Sequence, residues 1–244
     1  MVQQGQDARR SVSLQESAEL KRLREEVLFG ARWLAREIGD IFGHVSARLP
    51  EGSGSTGFLL KHLRIPPKPI DPDEIMVYDM DGVPLQGTQD RPKEVALYTS
   101  VFRTRPDITS IVHIHPPVAT ALTMAGSTVY PIHQASQRFQ APLPVFRGNL
   151  IGDDAIGGEM ADTLGQRRAI LLHGHGAVVV GVDVPDAVVS AYYLEQAAKM
   201  QVWAASVGKP HMLPDELIAE GEVANFLWRF QEWQSEQPTH ENHR

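Results

Sequence analysis

The sequence predicts an α/β fold in which helices cover both faces of one sheet, giving three layers. Apolar residues recur every three or four positions in some segments and run continuously in others, so helices and strands are both expected. The two kinds of segment are mixed along the chain without the strict alternation of parallel βαβ units. With 244 residues, 42% of them hydrophobic, the chain has room for a substantial core around that sheet.

Residues 1–12 read as a disordered polar arm. Ser13-Leu-Gln-Glu16 has the spacing of a capping box, in which the Ser and Glu side chains satisfy free backbone donors. Leu20, Leu23, Val27, Ala31 and Leu34 then predict an amphipathic helix ending near Gly39. Strands are expected over 42–49 and 58–63, separated by a flexible loop at 51–57. Pro66, Pro67, Pro69 and Pro72 mark a loop that cannot join a sheet ladder. Two short apolar runs flank Asp79-Met-Asp-Gly82 as a hairpin; the resemblance of that turn to the start of a calcium loop stops there. A helix is expected over 93–103, strands at 109–115, near 128–131 and at 168–182, and a long helix over 186–207. Pro214-Asp-Glu216 opens a last helix carrying Phe226, Trp228, Phe230 and Trp233. No internal repeat interrupts this order. Residues 13–235 are read as one domain and 236–244 as a polar tail, in which His240 and His243 could take up stray metal.

Bulk properties narrow the function. A net charge of −7 argues against nucleic-acid binding, which relies on clustered Lys and Arg. The chain has no cysteine, which excludes disulfides and thiolate ligands and fits a reducing, cytoplasmic setting. The first residues are polar where a secretory signal needs an apolar stretch. No apolar run reaches the ~18 residues of a membrane span.

The chemistry is concentrated in two histidine pairs. Ser110-Ile-Val-His-Ile-His-Pro-Pro117 ends an apolar run with His113 and His115 two positions apart. A strand places residues i and i+2 on one face, so these imidazoles stand side by side. A second apolar run, Ala169-Ile-Leu-Leu172, closes on His173-Gly-His175-Gly176. One imidazole from this second pair would complete a three-nitrogen metal site with an open position. Either His173 or His175 could be aimed by the turn at Gly174 to Gly176. Zinc suits nitrogen ligands first, and manganese, cobalt or iron are also compatible. Such a site stabilises negative charge that develops during a reaction. A proton carrier is needed beside it, and Glu94, at the start of the helix leading into the His-X-His strand, is the candidate. As an acid it would need a raised pKa. Spacing alone equally allows an acidic residue favoured by the helix dipole.

Taken together, Glu94, Arg105-Pro-Asp107, Val112-His-Ile-His115 and Leu171-Leu-His-Gly-His-Gly-Ala177 resemble the class II aldolase/adducin family. Gly43-His-Val-Ser-Ala-Arg48 fits that family's early Gly-Asn-(Val/Ile)-Ser-X-Arg segment, and the similarity runs from about residue 18 to about residue 208. The resemblance implies an α/β/α sandwich whose central sheet is mainly antiparallel, and a homotetramer with active sites at subunit interfaces. It implies His113, His115 and His175 as metal ligands and Glu94 as catalytic acid/base, with His173 beside the ligands either as a substrate contact or as plain surface.

The departures direct the substrate. Sugar-phosphate members carry Asn where this chain has His44, and a Ser-Ser or Thr-Ser pair where it has Arg91-Pro-Lys93. The His-Val-Ser-Ala-Arg form, like His133-Gln-Ala-Ser-Gln-Arg138, is similar to the family's decarboxylase branch, which acts on hydroxylated aromatic or pyridine dicarboxylates. A small anionic substrate is therefore expected, bound by His44, Ser46, Arg48, Lys61, His173 and Tyr193. Arg48 or Lys61 would hold a second carboxylate, His44 would donate to a ring oxygen, and Tyr193 or Tyr192 would supply a phenolic donor. Each also has an ordinary structural reading as a surface pair, a turn hydrogen bond or core packing. Two other functions stand beside decarboxylation: an aldolase or epimerase acting on a sugar phosphate such as a ketose 1-phosphate, and a non-catalytic adducin-like interaction module. The second would be expected to have lost the histidines and Glu94, which are all present.

Overall fold

Helix α1 (Ala18–Ile38) begins where Ser17 accepts the Leu20 N–H at 3.1 Å and ends at Gly39. Its apolar stripe, Leu20, Val27, Ala31 and Leu34, is buried. The computed structural model describes residues 14–15, 17–62, 75–87, 91–148, 150–214 and 223–236. The polar arm, Ser13 and Glu16 of the expected capping box, the proline loop and the tail histidines lie outside the described residues.

The sheet contains β1 (His44–Arg48), β2 (Phe58–His62), β3 (Met76–Tyr78), β4 (Pro84–Gln86), β5 (Ser110–Ile114), β6 (Val145–Phe146), β7 (Ala169–Leu172) and β8 (Gly176–Gly181). Their spatial order is β4-β3-β2-β1-β5-β8-β7-β6. Neighbours pair antiparallel except β6 with β7, so the sheet is mainly antiparallel. The β3–β4 hairpin turns on Asp79, whose Oδ1 accepts the N–H groups of Asp81 and Val83, both at 2.9 Å.

Period-two alternation divides the sheet residues between two helical layers. Val45, Val112, Ile114, Leu171 and Val179 pack with α1, α3 (Pro117–Met124), α5 (Val184–Val207) and Trp228 of α6 (Val223–Glu236). Ile111, Ile170, Val178 and Val180 pack with α2 (Val95–Thr104) and α4 (Asp154–Leu164). The result is the three-layer α/β/α sandwich expected. Among the described residues, no helix is long and apolar enough to cross a membrane.

The local differences have physical causes. The strand expected near 128–131 does not form. The Gln201 side chain takes the place of a strand partner, donating to Thr128 O at 2.8 Å and accepting the Tyr130 N–H at 2.9 Å. The segment expected as strand over 168–182 is β7 and β8 joined by a three-residue turn. Helix α4 contains Gly157-Gly158, a poor helix signal. The reason for Gly157 is tertiary: a Cβ there would lie 2.5 Å from Ser100 Oγ on α2.

Candidate active site

The antiparallel register sets His113 directly opposite His44 on β1 and Val178 on β8. His115 follows at the strand's end. His175 lies in the β7–β8 turn, where Gly174 is left-handed (φ 64°) and the His175 N–H donates to Leu172 O at 3.0 Å. That turn is pressed onto the histidine strand: a Cβ on Gly176 would lie 2.3 Å from the Ile114 carbonyl oxygen.

Three imidazoles converge here. His113 Nδ1–H donates to Ala177 O at 3.0 Å, which leaves a lone pair on Nε2. His115 Nδ1–H donates to the Asp40 carboxylate at 3.0 Å, again turning Nε2 forward. Asp40 also accepts the backbone N–H of His115 at 2.8 Å, of Phe42 at 2.8 Å and of Gly43 at 3.3 Å. His115 Nε2 lies 3.2 Å from His175 Nε2. One ligand atom from each of the three rings falls within a 4.8 Å cluster. His113 Nε2 is buried with no hydrogen-bond partner. A buried, unsatisfied lone pair facing two other imidazoles fits a divalent metal ion.

Glu94 precedes α2 but makes no capping bond with its side chain. Its carboxylate lies 3.3 Å from His113 Nε2 and 3.7 Å from His175 Nε2, so it belongs to the cluster rather than to the helix terminus. Burial raises its pKa, but the close imidazoles of His113, His175 and His115 outweigh that and hold it below the ordinary carboxylate value. Asp40 shows the same balance more strongly: burial opposes ionisation, yet the His115 bonds and the Phe42 N–H bring it to about 2. Burial, helped by neighbouring histidines, holds His44 well below the usual imidazole value; His175 is lowered by burial too.

A cavity of about 490 Å³ opens beside the cluster. Its polar wall is His44, His62, Lys93, Glu94 and His115, and its apolar wall is Ile41, Phe42, Pro92 and Leu150. His173 lies outside it, with its ring Nδ1 3.2 Å from Arg147 Nη1, on an adjoining cavity shared with His175.

The structure therefore brings together Glu94, His113, His115, His175 and His44, and separates four other residues expected at the substrate. Ser46 donates to Ile111 O at 2.9 Å within the sheet. Arg48 sits at the other end of β1, where its guanidinium donates to Phe102 O at 2.8 Å and stacks on the Phe102 ring. Lys61 pairs with Val45 on the sheet face away from His44, and its Nζ donates to His62 O at 2.9 Å. Tyr193 is on α5, across the sheet from His113, against Tyr192 and Arg138. Asp40, His62 and Lys93 were not singled out as site residues by sequence reasoning. Asp40 reaches His115 across 75 positions and His62 enters only through strand register, so neither carries a spacing signal. Lys93 had one, its place beside Glu94 in a departing segment.

Comparison with known proteins identifies the family and the fold. The model of the class II aldolase and adducin N-terminal domain matches residues 33–202. A 3,4-dihydroxyphthalate decarboxylase from Arthrobacter keyseri is 34% identical, over 81% of this chain and 85% of that protein. A 5-deoxy-D-ribulose 1-phosphate aldolase from Bacillus thuringiensis serovar kurstaki is 27% identical, over 66% of this chain and 73% of that one. Among solved structures, an aldolase II superfamily protein from Pseudomonas syringae superposes with a TM-score of 0.75 at 22% identity, covering 90% of this chain and 94% of its own. The fold and the site define a metal-dependent carbon–carbon lyase. The chain belongs to the class II aldolase and adducin family.

Proposed function

We propose that the chain removes carbon dioxide from a hydroxylated aromatic or heteroaromatic dicarboxylate. The observation that carries this reading is the apolar wall beside the histidines: Ile41, Phe42, Pro92 and Leu150 suit a flat ring better than a polyol phosphate. Arg91-Pro-Lys93, which lacks hydroxyl side chains, and the names of the decarboxylase relatives support the same reading.

His113, His115 and His175 would hold the metal, and we propose zinc on the preference for nitrogen ligands, with manganese, cobalt or iron as alternatives. When bound, the ion would act as a Lewis acid that draws off negative charge beside the breaking bond. The Ala177 carbonyl and Asp40 hold the His113 and His115 rings in the tautomer that presents Nε2. The apolar wall packs against the ring. Glu94, ionised before substrate arrives, accepts the proton of the ring hydroxyl. The bond to the departing carboxylate breaks, carbon dioxide leaves, and its electron pair stays on the ring carbon. Glu94 then delivers its proton to that carbon, and the ring oxygen regains one from water. An acid at this position needs a raised pKa; the neighbouring imidazoles instead hold the Glu94 carboxyl below its ordinary value.

We also propose a homotetramer in a cytoplasmic setting, with a neighbouring subunit at the cavity mouth. Phe42, 72% exposed, and Leu150, 53% exposed, give that mouth an apolar rim.

Metal-loaded protein incubated with a panel of hydroxylated aromatic dicarboxylates is expected to release carbon dioxide. Glu94→Gln should retain metal and lose roughly 10²–10⁴-fold in rate, whereas His113→Ala should lose metal and rate together. Cleavage of a ketose 1-phosphate in place of decarboxylation would install the aldolase reading. Failure of the purified chain to take up any transition metal would install the adducin-like one.

A further inference from the structure

Three polar groups of the cavity, Lys93, His44 and the His62 ring packed 4.3 Å from His44, have no part in the reaction as described. Lys93 immediately precedes Glu94 and lines the cavity; it is the one Lys or Arg among the described residues that do so. Its side chain is exposed and has no ion-pair partner among the described residues. The preceding Pro92 is buried in the cavity wall and fixes the backbone that carries Lys93. His44 is 5% exposed, and neither of its ring nitrogens has a hydrogen-bond partner. Buried polar nitrogens are nearly always paired, so a ring with both unsatisfied points to an absent partner. The strand register fixes this ring on the face of His113, to which it lies parallel with centroids 6.3 Å apart.

We propose that Lys93 and His44 form a carboxylate subsite that selects substrates carrying a second carboxylate. This rests on the decarboxylase reading and adds the reason for a dicarboxylate. The first carboxylate and ring hydroxyl face the histidine cluster. The second, on a neighbouring ring carbon, meets an ammonium and an imidazole N–H beside that cluster. The chain as a whole is acidic, with a net charge of −7, so attraction for a dianion has to be local. Lys93 and His44 replace the Arg48 and Lys61 anchors expected from the sequence, whose side chains are committed to backbone carbonyls.

The test uses unreactive ligands, so that binding is separated from turnover. Metal-loaded full chain is titrated calorimetrically with phthalate, benzoate and inorganic phosphate. The wild type is expected to bind phthalate about tenfold tighter than benzoate, the factor that one charge-assisted hydrogen bond supplies. Lys93→Met should erase that preference with benzoate affinity and metal content unchanged, Lys93→Arg should keep it, and His44→Leu should weaken it. Equal affinities in the wild type, or a preference that survives Lys93→Met, would overturn the subsite. So would phosphate displacing phthalate at comparable concentration. Should Lys93 control phthalate binding while no aromatic dicarboxylate releases carbon dioxide, the subsite stands and the reaction assigned to it falls.

Discussion

Asp40 carries more of the site than any residue the sequence singled out except the histidines and Glu94. One carboxylate oxygen holds the His115 ring and backbone; the other holds the chain at Phe42 and Gly43, on the cavity wall. Removing its charge should loosen the tautomer of His115, so Asp40→Asn is expected to bind metal ~10–100-fold more weakly, measured by chelator competition. The same residue predicts a pH dependence. Against burial, which raises it, the His115 and Phe42 bonds bring its pKa to about 2 in the folded chain, below an unfolded value of about 3.9. Its contribution to stability is therefore present above about pH 4 and is lost as the pH falls through that folded value. The melting temperature of Asp40→Asn should vary less over that acid range than that of the wild type; equal slopes would show that the bond does not stabilise the fold. None of this was legible in the sequence, whereas His113 and His115 were, because two-residue spacing on a strand is a local property. Arg48 was misassigned for a related reason. Alternation put it on the right face with His44, but four residues along a strand amount to roughly 13 Å, too far to share the substrate.

Helix α3 is the element that ties the two histidine segments together. It starts directly after His115-Pro116, and its free Val118 and Ala119 N–H groups donate to buried Glu195 on α5, at 3.3 and 3.1 Å. At its other end the Thr123 hydroxyl accepts the Gly174 N–H at 3.0 Å, in the turn that carries His175. The helix thus spaces His175 from His115. Thr123→Val removes the acceptor at nearly constant volume and should lower metal affinity by about tenfold, while Thr123→Ser retains it. Unchanged affinity in Thr123→Val, with the fold verified by circular dichroism, would remove α3 from this role. This helix was not foreseen, since eight residues opened by a double proline give almost no periodic signal. The long helices were foreseen within a few residues, α1 because its apolar stripe repeats over five turns and α5 because no Gly or Pro interrupts 186–207. The orientation of His175 belongs to this scale too: spacing alone leaves His173 and His175 open, the resemblance selects His175, and the Gly174 turn and the approach of Gly176 to β5 set that ring beside His113 and His115.

At the scale of the whole molecule, the three imidazoles and Glu94 come together within one chain, but apolar side chains elsewhere stay exposed. Trp203 is 61% exposed and Val207 89%, one helical turn apart on α5. Phe226 on α6 is 76% exposed, and Phe230 stacks on Trp233 nearby in sequence. Large apolar side chains left exposed in clusters mark association sites. The homotetramer proposed above would bury such surface and, at the rim of Phe42 and Leu150, enclose the cavity. The two contributions can be separated because the three imidazoles and Glu94 come from the same chain. Introducing charge with Trp203→Glu and Val207→Glu should lower the mass measured by light scattering from four chains toward one. The dissociated chains should bind metal with wild-type affinity and turn over poorly, because the cavity mouth is open to water. A wild type that already runs as a single chain would end the tetramer proposal. Full turnover by dissociated double-mutant chains would show that one subunit encloses its substrate unaided, leaving the exposed surface of α5 with no role in the reaction.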